Sequence, residues 1–525
     1  MLLVGLDYKN LGREVFYMRL ERTKNSLRNA AYGMAFKVIS IVMPFIVRTV
    51  FIGTLGVELL GLNSLFTSIL TVLNLTELGF SSAIVFCMYK PIANNDSDSI
   101  NALLAFYKKV YFYIGLIILG IGCSIIPFLT HLINGSYPSQ INLVVVYLVF
   151  LLNIIISYFL FAYLGSLITA FQRDDMLSKV NIVITTLMYM AQIVILLILR
   201  NYYVYILVMP AFTVVNNIRT VVIAKRMFPQ YKPVGKLSPE YKKVIKEKVS
   251  GLVIFKVCYV SRNAFDTIFI SMFFGLTDVA IYNNYYYIMN AIVGITSVLT
   301  SSVLSGVGNS IAIESTEKNY NDMNKMNFIY MWIAGLFTTC LLCLYQPFMR
   351  IWVGESLMYP FSYVVLLCIY FYILKLGDVR YIYEQAKGLW WEYRFRSISE
   401  AVGNIVLNYI LGKLFGVAGI IMATIITLFF INYLYGAKVI FNCYFTEQKM
   451  RDYFAQNARY MTVTLIACIV TYVMCSFLPF TYWGFVLKLS ICIIVPNMIY
   501  FVFFKNTYIY KIAMPWFLSK LRIKQ

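Results

Sequence analysis

Arg48 and Glu77 lie inside stretches that are otherwise apolar, where neither side chain is at home in hydrocarbon. An ionised group at the centre of a bilayer helix costs about 2.5 to 3.5 kcal/mol on insertion scales, so such groups face protein or a watery cavity. At 100° per residue, Lys37, Ser40, Pro44 and Arg48 fall within about 80° of one another on one helical face. Asn63, Thr67, Thr71, Asn74, Glu77 and Ser81 follow at spacings of three or four and form a second polar stripe. Hydroxyl and amide groups alone would serve as interhelical glue. Glue has no need of Lys37, Arg48 and Glu77, so the two stripes read as the lining of a cavity. A guanidinium there can fork onto a phosphate and an ammonium can attract it as a point charge. A carboxylate can take a coupling ion or hold the bases neutral.

A second copy of the pattern follows. Phe36-Lys37-Val38 returns as Phe255-Lys256-Val257, Gly56 as Gly275, Asn63 as Asn283 and Ser81 as Ser301. Lys256, Tyr259, Asn263 and Asp266 share one side of a helix, with Arg262 at its edge four residues before Asp266. Asn283, Tyr287, Asn290, Gly294, Ser297, Ser301 and Ser305 repeat the polar stripe. Arg262 and Asp266 could simply neutralise each other, and Lys375 and Asp378, one turn apart in YFYILKLGDVRYIYEQAKG, could be a structural couple or a cargo contact. The residues expected to line the cavity, and on the resemblance described below to bind the substrate, are Lys37, Arg48, Asn74, Lys256, Arg262, Asn283, Asn290 and Lys375. Glu77, Asp266 and Asp378 are expected to serve ion coupling or charge pairing.

The elements that must carry these residues are membrane helices. Of 525 residues, 61% are hydrophobic and 13% charged, with mean hydropathy +0.75, outside the range of soluble globular chains. The expected fold is an all-α polytopic membrane protein with about fourteen spans. They fall near 31–55, 62–88, 109–134, 141–170, 177–199, 202–224, 251–276, 278–305, 329–352, 361–386, 397–412, 416–437, 459–479 and 482–504. The repeat groups them as an N-lobe over 31–225, a linker over 226–250, a C-lobe over 251–440 and a terminal helix pair with a basic tail over 441–525. Two six-span halves that both start on the same side imply parallel repeats about an axis along the membrane normal.

Net charge is +21, yet most of the 44 Lys and Arg fall in the two termini and in alternate connections. Positive charge marks the cytoplasmic side, so both termini are expected inside and the basic excess is topology, with no nucleic-acid partner implied. The 225–248 connection can also attract anionic lipid headgroups. Residues 1–30 are basic and lack the apolar core of a secretory signal peptide; they are expected to lie along the inner membrane surface, with Met18 an alternative start.

Other residue types invite chemistry that their context discourages. Nine of the ten cysteines fall in apolar spans, and Cys340 and Cys343, spelling C-L-L-C inside a span, read as packing. With His131 the sole histidine and no Cys/His cluster evident, no metal centre and no cofactor are expected. Asp174 and Asp175 sit in a tight basic-acidic loop and read as solvated surface. Lys488, near the outer end of the last span, can snorkel to the interface.

The run R-T-V-F-I-G-T-L-G-V-E-L-L-G-L-N-S-L-F from Arg48 to Phe66, followed by N-L-T-E-L-G-F-S-S-A-I and M-Y-K-P-I-A, resembles the Wzx-like polysaccharide repeat-unit flippases of the multidrug/oligosaccharidyl-lipid/polysaccharide exporter superfamily. The resemblance extends to the plan of fourteen spans in two six-span lobes plus a final pair. It implies a non-enzymatic transporter in the bacterial cytoplasmic membrane that flips undecaprenyl-diphosphate-linked oligosaccharides for surface polysaccharide such as O-antigen or capsule. It also implies alternating access through a cationic cavity, membrane lipids and polysaccharide polymerase machinery as partners, and a Na⁺ or H⁺ coupling ion. Glu77 and Asp266 depart from an all-positive lining. The alternatives are a multidrug exporter or lipid II flippase of the same superfamily, and an integral-membrane polysaccharide polymerase or glycosyltransferase. The last would generally need a substantial loop or soluble domain, and every outside connection here is short.

Overall fold

The computed structural model describes residues 22–135, 137–160, 163–237, 239–479 and 481–521, and the side chains of Glu77, Lys256, Tyr259, Asn263 and Ser305 lie outside the described residues. Most of the surface segment expected over 1–30 lies outside them as well. Every stretch read as a span is largely helical, and no strand occurs among the described residues. Among the described residues ten helices are long and apolar enough to cross a membrane, or eleven when one bent pair is joined, which makes this a multi-pass membrane protein.

The first helix, α1 (Arg22–Leu55), contains Pro44 and ends where Gly56 adopts φ 88°. The stretch 62–88 is two helices, α2 (Val57–Leu73) and α3 (Leu75–Ala93), because the chain turns at Asn74. The stripe from Asn63 to Ser81 is therefore broken rather than continuous. Next come α4 (Ser97–Ile125), α5 (Leu143–Phe159) and the short α6 (Leu164–Ala170), bent by 60° from α5. Asp96 caps α4 by accepting from the Ser99 amide at 3.0 Å, and this bonding holds its carboxyl below the usual range. Then follow α7 (Asp174–Ile198), α8 (Tyr202–Met227), α9 (Pro239–Phe274), α10 (Leu276–Ile313), α11 (Thr316–Trp352), α12 (Phe361–Lys375) and α13 (Asp378–Lys387). The second half of the 226–250 connection is thus already the start of α9.

The two spans expected at 397–412 and 416–437 are two helical limbs of α14 (Arg394–Ile426) that meet at a break at Gly416, with φ 67° and ψ −150°. The second limb runs on through a π-helical segment (Thr427–Tyr435) and α15 (Gly436–Cys443). The chain ends with α16 (Met450–Ser476), α17 (Tyr482–Phe504) and α18 (Tyr508–Leu521).

The repeat visible in the sequence reappears in the backbone. Gly56 and Gly275 have φ 88° and 89°, and Gly135 and Gly354 have φ 86° and 84°. Gln172 and Gly388 at φ 57° and 75°, then Arg200 and Gly416 at 47° and 67°, continue the same order at nearly constant spacing. In only two of the four pairs does glycine occupy both positions.

By contact density the chain divides into two units. The first takes the residues up to Ala264 plus Gly275–Thr277. In it α1 lies on α7, α7 and α5 on α8, and α3 and α5 on α4. Asp175 holds part of this together. Expected at a solvated surface, it is fully buried, with Arg28 at 3.1 Å, Arg173 at 3.0 Å and Lys179 at 3.5 Å, while Asn29 accepts from its backbone amide. Docking of α1 over the start of α7 removes the water that the loop sequence alone suggested.

The second unit takes Phe265–Phe274 and the chain from Asp278 onward. Its central element is α11, which packs on α12, α16, α17 and α18. Phe328, Met331, Tyr460, Tyr500 and Phe504 fill the centre, and Trp332 stacks on Tyr500 at 5.3 Å. The terminal helix pair therefore shares a core with this unit.

Candidate functional site

In the second unit a carboxylate is enclosed by amides and hydroxyls. Asp266 on α9 is fully buried. Asn408 Nδ2 donates to its Oδ1 at 2.7 Å, Thr424 Oγ1 to its Oδ2 at 2.9 Å, and the Tyr282 hydroxyl to the same oxygen at 3.4 Å. Asn404 Nδ2 donates to Thr424 Oγ1 at 3.0 Å, and Asn408 Nδ2 also reaches Asn404 Oδ1 at 3.2 Å. The break at Gly416 makes this arrangement. It folds the two limbs of α14 together so tightly that a Cβ on Gly419 would lie 1.9 Å from the Leu411 carbonyl oxygen. Asn404 and Asn408 on one limb then meet Thr424 on the other. Asn408 Oδ1 is buried and accepts no hydrogen bond among the described residues. A buried carboxylate among hard oxygen donors can bind a proton or a small cation.

A second charged group lies at the junction of α12 and α13. Lys375 is 3% exposed and its Nζ stands 2.7 Å from Asp378 Oδ2, which also accepts from the Tyr330 hydroxyl. Tyr330 in turn lines a cavity of about 550 Å³ whose other walls include Val303, Gly306, Val379, Tyr383 and Trp516. The walls are mainly apolar, suited to hydrocarbon rather than to sugar.

Sequence reasoning left Arg380 out of the site, and the structure makes it structural. Its Nε meets Glu384 Oε1 at 2.6 Å, while Nη1 and Nη2 donate to the Tyr433 and Asn432 carbonyls at 2.7 and 2.8 Å. The guanidinium thereby ties α13 to the π-helical segment. Asn432 Nδ2 donates to Glu400 Oε2, which pairs with Arg396 at 2.9 Å.

The remaining expected residues are scattered. In the first unit Lys37 is exposed, and Arg48 is half-buried within electrostatic reach of Tyr205. Asn74 accepts from the Tyr158 hydroxyl at the turn between α2 and α3. Arg262, on the part of α9 that belongs to the first unit, is 2% exposed. Asn283 in the second unit turns back onto its own helix, donating to the Val279 carbonyl at 2.9 Å, while Asn290 is exposed. Tyr282, Asn404, Asn408 and Thr424 were missed. Asn404 and Asn408 at i and i+4 in an apolar span were the available signal.

Two further features of the second unit were not legible in the sequence. Cys343, Cys475 and Cys492 come from three helices and their sulfurs lie within 4.8 Å of one another. Lys488, expected to reach the interface, is buried one turn before Cys492. Neither is visible from C-L-L-C spacing, because the meeting depends on how α16 and α17 pack on α11.

No sequence-family profile matches the chain, and no curated protein matches it by sequence. Solved structures do match. Lipid II flippase MurJ in an inward closed conformation aligns with TM-score 0.62 and 15% identity, over 91% of this chain and 99% of that one. An inward-facing multidrug resistance MATE family transporter of the MOP superfamily aligns with TM-score 0.58 and 14% identity, over 78% of this chain and 98% of that one. A MOP superfamily transporter from Pyrococcus furiosus, whose binding pocket is described as having reversed polarity, aligns with TM-score 0.56 and 14% identity, over 80% and 96%. The chain has the fold of these transporters.

Proposed function

We propose that this chain exports a lipid-diphosphate-linked oligosaccharide across the cytoplasmic membrane by alternating access, without enzymatic turnover. The fold supports a transporter, and the observation that carries the finer reading is coverage. The lipid II flippase aligns with 91% of this chain and the multidrug and Pyrococcus transporters above with 78% and 80%. Cargo with a diphosphate suits the basic residues of the spans, with Arg48 and Arg262 as forked donors and Lys37 and Lys256 as point charges. A hydrocarbon tail can stay in lipid or against the apolar cavity beside Tyr330. A membrane potential contributes about 2.3 kcal/mol per charge per 100 mV to outward movement of the anion from a negative interior.

Resetting of the empty carrier is assigned to Asp266, whose surroundings of amide and hydroxyl oxygens suit Na⁺ or H⁺. A multidrug exporter is the second reading, favoured by the MATE likeness. Cationic drugs, however, call for an acidic cavity, and the spans carry more basic than acidic groups.

The test uses purified chain in sealed vesicles with lipid-linked oligosaccharide, scored by access of an outside glycosidase. Wild-type chain should flip the lipid and Arg48→Ala should lose at least about tenfold in rate, a loss of about 1.4 kcal/mol. Flipping by Arg48→Ala at the wild-type rate removes Arg48 from the mechanism. Export of cationic dyes with no flipping selects the multidrug reading.

A further inference from the structure

The cysteine cluster of the second unit has the makings of a metal site. Cys340 and Cys343 lie three residues apart on α11, Cys475 is near the end of α16, and Cys492 is mid-way along α17. These three helices pack on one another pairwise. Cys343, Cys475 and Cys492 are buried, with Cys475 and Cys492 sulfurs 4.0 Å apart and all three within 4.8 Å. Three thiolates around one ion at about 2.3 Å would stand roughly 3.8 to 4.0 Å apart, so small rotations about Cα–Cβ close the site. Cys340 adds a fourth sulfur nearby, 3.8 Å from the Cys492 carbonyl oxygen.

Charge selects among thiophilic ions. Three thiolates carry one net negative charge with Zn²⁺ and two with Cu⁺, and the larger charge costs more in a low-dielectric interior. We propose that Cys343, Cys475 and Cys492 form a three-thiolate site for Zn²⁺ that clips the α16–α17 pair to α11. Binding releases the three thiol protons.

The test uses full-length chain, free of affinity tag, in detergent. After incubation with Zn²⁺ alone and gel filtration in the presence of a weak chelator, about one zinc per chain is expected by elemental analysis. Cys343→Ala and Cys492→Ala should each drop below about a tenth of that, while Cys123→Ala and Cys443→Ala retain it. Zinc should raise the unfolding temperature of wild-type chain and leave that of Cys492→Ala unmoved. Zinc retained equally by the cysteine variants is adventitious and overturns the site. So does a wild-type chain that stays metal-free, or one in which mass spectrometry finds Cys475 and Cys492 joined as a disulfide. Preferential retention of Cu⁺ from an equal mixture overturns the assignment to zinc.

Discussion

Asn408 donates its side-chain amide to Asp266 at 2.7 Å across two helices far apart in sequence, and both side chains are fully buried. Removing a carboxylate from water is expensive unless its oxygens are bonded, and here Thr424 and Tyr282 supply further donors. Asn408 Oδ1 meanwhile gains no donor among the described residues. Asp266→Asn keeps shape and loses charge. It should leave the protein folded and abolish dependence of transport on a Na⁺ or H⁺ gradient, whereas Thr424→Val should weaken that dependence. Transport in vesicles, with each gradient imposed in turn, checks this; Asp266→Asn that still follows an ion gradient as wild type does would remove Asp266 from coupling.

Lys375 and Asp378 left open whether they touch cargo or each other. At 2.7 Å, with the lysine 3% exposed, they touch each other. Removing the lysine strands Asp378, whose side chain is 26% exposed, so the cost falls below the roughly 3 to 5 kcal/mol of a fully buried pair, while removing both is milder still. Lys375→Met should lower the unfolding temperature in detergent clearly, and Lys375→Met with Asp378→Asn should recover at least half of the loss. Should the double variant remain folded but fail to export, Lys375 also contacts cargo.

Much of the fold was readable because continuous apolar runs of about 20 residues have the length of a helical span, and a helix satisfies its own backbone in lipid. The repeat was readable at Phe36-Lys37-Val38 and at Gly56, where the same residues recur. At Gln172 and Gly388, or Arg200 and Gly416, different residues adopt the same backbone, so only coordinates reveal the match. Periodicity identified Asp266 as a helix-face residue but not its enclosure, which depends on the bend at Gly416. Asp175 was misjudged for a related reason: loop composition reports polarity, and burial by α1 is a long-range event. Asn74 interrupts a helix because of how the chain turns there, and Asn also fits a polar stripe, so the residue type did not choose between them.

Asp175 joins Arg28, Arg173 and Lys179 where α1 meets α7. Arg28 and Lys179 are each 31% exposed, so water screens part of their attraction and the loss on removal is smaller than for a closed pair. Asp175→Ala leaves three cations facing one another and should cost about 2 kcal/mol. Protease sensitivity should rise at the α1–α7 junction, with unfolding temperature falling. Equal stability of Asp175→Ala and wild type would show that the cluster is held by packing alone.

Arg380 is a fully bonded, buried cation of the second unit. Glu384 balances its charge, and its two terminal nitrogens hold the carbonyls of Asn432 and Tyr433 in the π-helical segment. A Cβ on Gly436 would fall 2.6 Å from the guanidinium, so the helix leaves it no spare room. Lysine lacks the planar fork and cannot reach both carbonyls while pairing with Glu384. Arg380→Lys should therefore destabilise nearly as much as Arg380→Met, by about 3 kcal/mol or more. Combining Arg380→Met with Glu384→Leu removes the stranded carboxylate and should recover stability but not export, because the π-helical segment that follows Thr424 loses its tether. Thermal unfolding and vesicle export, measured on the same preparations, separate these outcomes. If the double variant exports as wild type does, Arg380 serves stability alone and the π-helical segment needs no tether.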